Sequence, residues 1–215
     1  MKKTLLTLFT TIAVCGMSYS QVYAQIDVSV FENKADYDVD MDDFDDTGEI
    51  SFVGGDNMPS GTVIGNPDGD SGYISGELDI KIIDDGNIAA PRMSLLYTGD
   101  DWIFTDKIII KTESHRYTFD VDRDTDTIGG KITELYTLVF TDESIQLLKD
   151  VIDDEDEDIM LDFRLSGDRK VDGNLMFLDI DAVKEFYEDY VAAGGTKQDL
   201  SEVANSFPCE VKDID

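Results

Sequence analysis

The feature that most constrains the fold of this chain is the alternation of apolar and polar residues along its central region. Leu78, Ile80 and Ile82 are separated by Asp79 and Lys81, and the same two-residue period recurs several times. Because successive side chains of a strand point to opposite faces, this period predicts strands with one buried face and one exposed face. The predicted strands cover residues 49–53, 78–82, 93–97, 102–111, 115–121, 132–140 and 159–166.

The segments between these strands predict how the strands are connected. Most connections are short, which is typical of antiparallel neighbours, and residues 98–101 suit a hairpin loop. Helical spacing of apolar residues predicts helices over 141–152 and 181–193, with Asp179 or Asp181 as the cap of the second, and a short third helix over 198–205. The sequence therefore predicts an α+β protein: an antiparallel β-sheet or β-sandwich core with two to three helices in the C-terminal half.

The first 24 residues have the composition of a signal peptide. Lys2 and Lys3 precede an uncharged, mostly apolar run over residues 4–17, and the segment ends in Val-Tyr-Ala at 22–24. We expect cleavage after Ala24 and export to the extracellular space or periplasm. The apolar run is shorter than the roughly 20 residues of a transmembrane helix, and no other apolar run is long enough, so no membrane span is expected in the mature chain. Lipidation of Cys15 is a weaker alternative, because Val14 occupies a position that favours a small residue.

The remaining chain divides by composition into three segments. Residues 25–48 form an acidic segment that we expect to be weakly ordered, since seven of the eleven residues from 36 to 46 are Asp. Residues 49–207 are predicted to form a single β-rich globular domain, and residues 208–215 a C-terminal tail.

The charge of the chain restricts its partners. Its 48 acidic and 17 basic residues give a formal net charge of −31, which repels nucleic acid and attracts cations or a basic protein partner. An alternative interpretation is a salt-adapted, solvated domain that binds cations loosely.

Catalytic motifs are scarce. The chain has a single histidine, His115, and no Gly-x-Ser-x-Gly motif, and the mature chain keeps a single cysteine, Cys209, whose role the sequence leaves open. We expect His115 to pack at a strand end, and one His with one Cys cannot supply the ligands of a zinc site. These observations favour a protein that is not an enzyme. A secreted carboxylate-based hydrolase is the alternative, with Glu134 and Asp162 as the acids placed in regular strands.

One segment suggests calcium binding. Residues 43–50 are similar to the first half of an EF-hand loop, with Gly48 at the sixth position. The resemblance ends at Gly54, which stands where the loop needs a bidentate Glu. The candidate metal ligands are Asp43, Asp45, Thr47 and Glu49. No cofactor other than calcium is suggested.

Aromatic residues cluster in the predicted strands: Tyr97, Trp102, Phe104, Tyr117 and Phe119. They would suit an exposed face that binds carbohydrate or peptide, but their shared parity within each strand favours a buried sheet face. The sequence thus predicts an exported, acidic interaction or binding module without enzymatic activity.

Overall fold

The computed structural model describes residues 26–42, 47–53, 60–64, 72–83, 88–154, 159–177 and 179–214. Within these residues the chain forms twelve strands, four α-helices and one 3-10 helix at Gly195–Lys197. The strands are β1 (Tyr37–Asp42), β2 (Thr47–Phe52), β3 (Ser60–Ile64), β4 (Gly72–Ile83), β5 (Ile88–Gly99), β6 (Lys107–Lys111), β7 (His115–Asp120), β8 (Asp122–Ile128), β9 (Lys131–Val139), β10 (Ile159–Ser166), β11 (Lys170–Phe177) and β12 (Cys209–Asp213). The α-helices are α1 (Ser29–Glu32), α2 (Gln146–Asp153), α3 (Ile180–Ala192) and α4 (Ser201–Ser206).

All strand pairs are antiparallel, and the fold is α+β with sandwich-like packing, as predicted. From edge to edge the strands lie in the order β12-β7-β6-β10-β11-β3-β4-β5-β9-β8. The long strand β4 joins two regions of the sheet, because one end of it pairs with β3 and the other end pairs with β2, which in turn pairs with β1.

The predicted alternation places the core on one face of the strands. Leu78, Ile80 and Ile82 of β4 are buried, and so are the corresponding residues of the neighbouring strands. Helices α2 and α3 contact each other and add their apolar faces to the same core. Phe186 of α3 packs edge-on against Phe52 of β2, which ties the helical layer to the sheet.

The predicted helices differ from the observed ones mainly at their starts. Helix α3 begins where the capping pattern places it, with the Asp179 side chain accepting a hydrogen bond from the Ala182 N–H. Helix α2 begins at Gln146 instead of residue 141. The reason is local: the Thr141 N–H donates to Ser144 Oγ at 2.8 Å, so these side chains hold a turn that competes with the helix.

Several strand predictions were wrong or incomplete. The predicted strand over 102–111 begins only at Lys107. Residues 98–101 do not form a hairpin, because β5 and β6 do not pair with each other. Strand β5 pairs with β4 and β9, and β6 pairs with β7 and β10. Strand β8 was not predicted, since all seven of its residues are exposed and it therefore lacks apolar alternation. Strand β11 was also not predicted, although it pairs along its whole length with β10.

The ends of the described chain belong to the sheet. Strand β1 lies within the segment predicted to be acidic, and β12 lies within the predicted tail, where it pairs with β7. The predicted signal peptide lies outside the described residues. None of the described helices has the length and apolar character needed to cross a membrane. Export and the domain boundaries stay predictions.

Candidate binding site

A buried carboxylate organises the segment between β5 and β6. Glu134 of β9 is fully buried, and its oxygens accept hydrogen bonds from the backbone N–H groups of Ile103 at 2.6 Å, Phe104 at 2.9 Å and Thr105 at 3.2 Å. The Tyr136 hydroxyl donates a fourth at 3.0 Å. Successive N–H groups that converge on one anionic group form a concave backbone nest. We call residues 100–106, which wrap this carboxylate, the platform loop.

The nest explains why the strand predicted over 102–111 does not start at Trp102. A strand directs successive N–H groups to opposite edges, whereas here three in a row point to the same carboxylate. The alternation is consequently reversed: Ile103 and Thr105 are buried, while Phe104 is exposed. The only sequence signal for this site was an acid, Glu134, within an otherwise regular strand; its burial was not predicted.

The platform loop contains strained backbone at Phe104. Its φ of 52° lies in the left-handed region, which a residue with a bulky side chain rarely adopts. Neighbouring groups hold this conformation, since Arg123 of β8 donates to the carbonyl oxygens of Phe104 and Thr105, both at 3.0 Å. Gly167 lies so close that a β-carbon there would be 2.0 Å from the Phe104 carbonyl oxygen. The surrounding structure therefore fixes the strained residue from several sides.

The strained backbone presents an aromatic surface. The rings of Trp102 and Phe104 are stacked, with centroids 5.4 Å apart and planes inclined by 16°. The Arg123 guanidinium lies over the Phe104 ring, 5.4 Å from its centroid. Phe104 is 37% exposed and Trp102 is partly exposed. We call these three side chains the aromatic platform.

The aromatic platform corrects the expectation that all five clustered aromatic residues belong to the core. The side chains of Tyr97, Tyr117 and Phe119 are buried, as expected. Trp102 and Phe104 instead lie at the surface, because the nest changes which residues face inward. Chemically, the platform offers flat apolar area and a cation, but no group that exchanges a proton near neutral pH.

Replacing Phe104 by glycine tests the strain. Because glycine adopts positive φ without penalty, we expect Phe104→Gly to be more stable than Phe104→Ala by about 1 kcal/mol. At positions with ordinary backbone angles an alanine variant is at least as stable as a glycine variant. Trp102 is the control, so Trp102→Ala should be at least as stable as Trp102→Gly. Urea unfolding followed by circular dichroism measures all four variants. An alanine variant of Phe104 more stable than the glycine variant would contradict the strain.

The single histidine belongs to a second polar cluster. His115 Nδ1 lies 2.7 Å from Asp150 Oδ2, which also accepts hydrogen bonds from Thr112 Oγ1 at 2.7 Å and the Tyr117 hydroxyl at 2.8 Å. Gln146 donates to the other oxygen. Burial tends to raise the pKa of Asp150, but these hydrogen bonds outweigh it and hold the pKa below its ordinary value.

A histidine oriented by an aspartate is also found in a catalytic triad, but a triad needs a nucleophile at the other ring nitrogen. Among the described residues, the ion-pair neighbour of His115 Nε2 is the exposed carboxylate of Asp213, at 3.6 Å, and no hydroxyl or thiol is hydrogen-bonded to that nitrogen. The cluster instead joins α2 to the turn between β6 and β7.

The depressed pKa of Asp150 predicts a pH dependence. Its contribution to stability is present above the unfolded-state pKa and is lost as the pH falls through the lower folded-state pKa. We expect Asp150→Asn to cost about 1–3 kcal/mol at neutral pH, because an amide cannot accept all four hydrogen bonds. The difference from wild type should shrink in strongly acidic solution. Asp213→Asn, at an exposed position, is the control, and unfolding curves at several pH values are the measurement.

The candidate metal ligands are only partly described. Asp43 and Asp45 lie outside the described residues, whereas Thr47 and Glu49 lie on β2. Glu49 Oε2 is 3.0 Å from the Arg92 guanidinium and 3.7 Å from Lys81 Nζ. In the described regions of the chain no group of three or more His, Cys, Asp or Glu residues is arranged to hold a metal ion. Calcium binding stays a prediction.

The two acids considered for a hydrolase do not face each other. Glu134 is fully buried and occupied by the nest, whereas Asp162 is exposed on β10. The thiol of Cys209 is also unsuited to nucleophilic chemistry, because burial raises its pKa to about 12.

Comparison with known proteins adds no functional information. The chain matches no protein-family model, no curated protein and no solved structure. The proposals below therefore depend on the geometry of the described residues.

Proposed function

We propose that this protein is an exported, non-enzymatic binding module that holds a basic protein partner on its aromatic platform. The observation that carries the proposal is a surface Trp–Phe stack on a strained backbone. Three contacts hold this backbone in place: a buried carboxylate, an arginine and a close glycine. Backbone strain that the surrounding structure maintains is concentrated at functional sites. The strain at Phe104 costs folding free energy, and a partner that requires the two rings in this arrangement accounts for that cost.

The side chains of the platform are those that dominate binding energies at protein interfaces. Trp and Arg are enriched among the residues whose truncation costs most binding energy, and rigid aromatic rings lose little conformational entropy on binding. The platform loop is short and fixed by hydrogen bonds at Ile103, Phe104 and Thr105. A preorganised surface of this kind increases affinity by reducing the ordering cost of association.

The charge of the chain supports a basic partner. Its formal net charge is −31, and the exposed Asp122 and Asp124 flank Arg123 along β8. A field of this sign accelerates encounters with cationic molecules and depends on ionic strength. In this proposal charge brings the partner to the surface, and the aromatic platform provides the specific contact.

Two synthetic peptides separate these contributions. One alternates lysine with tyrosine and the other alternates lysine with alanine, so that both carry the same charge. We expect the tyrosine peptide to bind at least about tenfold more tightly, and we expect Trp102→Ala/Phe104→Ala to remove that difference while retaining the weak binding of both peptides. Calorimetry reports binding by all proteins, and the fluorescence of Trp102, the single tryptophan, reports it for those that retain this residue.

The matched control is Met160→Ala, which removes an exposed apolar side chain, 61% accessible, from β10. It should leave both affinities within about twofold. Equal affinities of the wild-type protein for the two peptides would show that binding is electrostatic alone, and the platform would then have no role in it.

The export component of the proposal has a separate test. N-terminal sequencing of the protein collected outside the cytoplasm should give a chain that starts at Gln25. A product that starts at Cys15, or retains Lys2 and Lys3, would contradict the proposed processing.

A further inference from the structure

A row of three cations crosses one end of the sheet. Lys111 of β6 is directly opposite Arg116 of β7, and Arg116 is directly opposite Lys212 of β12. All three side chains are exposed and lie on the same face, since partners in antiparallel strands share a face. Asp162 of β10 is opposite Lys111 and ends the row on that side.

The arrangement has an electrostatic cost. Adjacent strands are about 4.8 Å apart, and like charges directly opposite one another destabilise a sheet. The chain has 48 acidic and 17 basic residues, so a cation in this protein is expected to have an acidic neighbour more often than a basic one. Among the described residues, however, neither Lys111 nor Arg116 has a carboxylate within 4.0 Å. Asp162 is opposite Lys111 and Glu210 is paired with Lys212, whereas Arg116 has a cation on each side. A like-charge arrangement that is only partly compensated is a sign of a functional position.

A cavity of about 300 Å³ lies beside the row. Lys111 and Arg116 line it together with Arg164, Asp162 and Asp172. The Arg164 guanidinium makes two hydrogen bonds to Asp172, at 2.5 and 2.9 Å, so the charge of that carboxylate is already balanced. The cavity therefore has a net positive lining on a strongly negative protein.

From this geometry we propose that Lys111, Arg116 and Lys212 form a binding site for a compact polyvalent oxyanion, a ligand with two or more carboxylate or phosphate groups. Ammonium and guanidinium groups donate charge-assisted hydrogen bonds to such oxygens, and arginine does so with two parallel donors. The ligand is polyvalent because Lys111 and Arg116 are adjacent cations that line the cavity together, while Lys212 beside them is paired with Glu210. It is compact because Asp162 lies at one end and Glu210, 2.8 Å from Lys212 Nζ, lies at the other.

This site is independent of the aromatic platform. Lys111 and Arg116 lie at the end of the β6–β7 pair where the chain turns, whereas the platform loop precedes Lys107 at the other end of β6. The oxyanion proposal can consequently fail while the proposed function holds, and the reverse is also true.

Calorimetric titration of the full chain with citrate and, separately, with pyrophosphate tests the proposal, with sodium chloride at matched ionic strength as the reference. We expect at least one of the two probes to bind with a stoichiometry of one and to raise the melting temperature above that in chloride. Citrate alone would indicate a carboxylate ligand and pyrophosphate alone a phosphate ligand, and either result supports the site. Lys111→Gln/Arg116→Gln should weaken binding at least about tenfold.

The control removes the same number of charges elsewhere. Lys107→Gln/Lys131→Gln replaces two lysines that are paired with Asp120 and Asp100, and it should leave the affinity within about twofold. Without ligand, the Lys111→Gln/Arg116→Gln variant should melt close to the Lys107→Gln/Lys131→Gln control, because both variants remove two cations from a strongly negative protein. Absence of binding by both probes up to about 10 mM, or an equal loss of affinity in the control, would overturn the proposal.

Discussion

Glu134→Gln is expected to destabilise the protein by about 2–4 kcal/mol, because it replaces an acceptor of four hydrogen bonds with a group that is half donor. In the wild type the carboxylate pairs with the N–H groups of Ile103, Phe104 and Thr105 and with the Tyr136 hydroxyl. An amide turns its NH₂ group toward at least one of these donors. A buried N–H without a partner costs most of its desolvation free energy.

The variant should also disturb the aromatic platform. Since Trp102 is the single tryptophan, its fluorescence reports directly on the platform loop, and urea unfolding gives the free energy. Glu77→Gln is the control, because Glu77 is an exposed acid on β4 and should change stability by no more than about 0.5 kcal/mol. If Glu134→Gln and Glu77→Gln unfold at the same urea concentration, the nest does not stabilise the fold.

Arg92→Met is expected to cost about 3–5 kcal/mol, because it leaves a buried carboxylate without its cation. Asp79 is 2% exposed, and its Oδ1 is 2.5 Å from Arg92 Nε. Burial already raises the pKa of Asp79, although Arg92 acts in the opposite direction. Removing the arginine raises this pKa further, so the folded state of the variant binds a proton more tightly than the unfolded state does.

The sign of the pH effect follows from this shift. A carboxyl group with a raised folded-state pKa contributes stability below its unfolded-state pKa and loses it as the pH rises through the folded-state value. The deficit of Arg92→Met should therefore be larger near about pH 7 than near about pH 5. Unfolding curves at both pH values measure it.

Two further variants sharpen this prediction. Asp79→Leu/Arg92→Met removes the whole pair and should recover at least about 2 kcal/mol relative to Arg92→Met. Lys107→Met removes one partner of an exposed pair and should change the unfolding midpoint far less than Arg92→Met does. A deficit of Arg92→Met that stays constant with pH would show that it arises from lost packing and not from the isolated charge.

The candidate sites were only partly visible in the sequence. Glu134 was noted only as an acid in a regular strand, and its burial was not predicted, because its partners lie about thirty residues earlier in the chain. Trp102 and Phe104 occupy alternate positions of the predicted strand, and this spacing indicated that both side chains are buried. The prediction was wrong because the nest interrupts the strand. The cation row could not be predicted, since it depends on which strands pair and in which register.

Local sequence patterns were sufficient to predict several strands and one helix start. The alternation around Leu78, Ile80 and Ile82 defined strands and their buried faces, and the apolar spacing with Asp179 defined the start of α3. These properties depend on residues close together in the chain. Other features depend on long-range contacts: Glu134 binds the platform loop, Arg92 balances Asp79, and three cations share one row. Such contacts join distant segments, and their pairing is chosen by the packing of the whole core and not by any local preference.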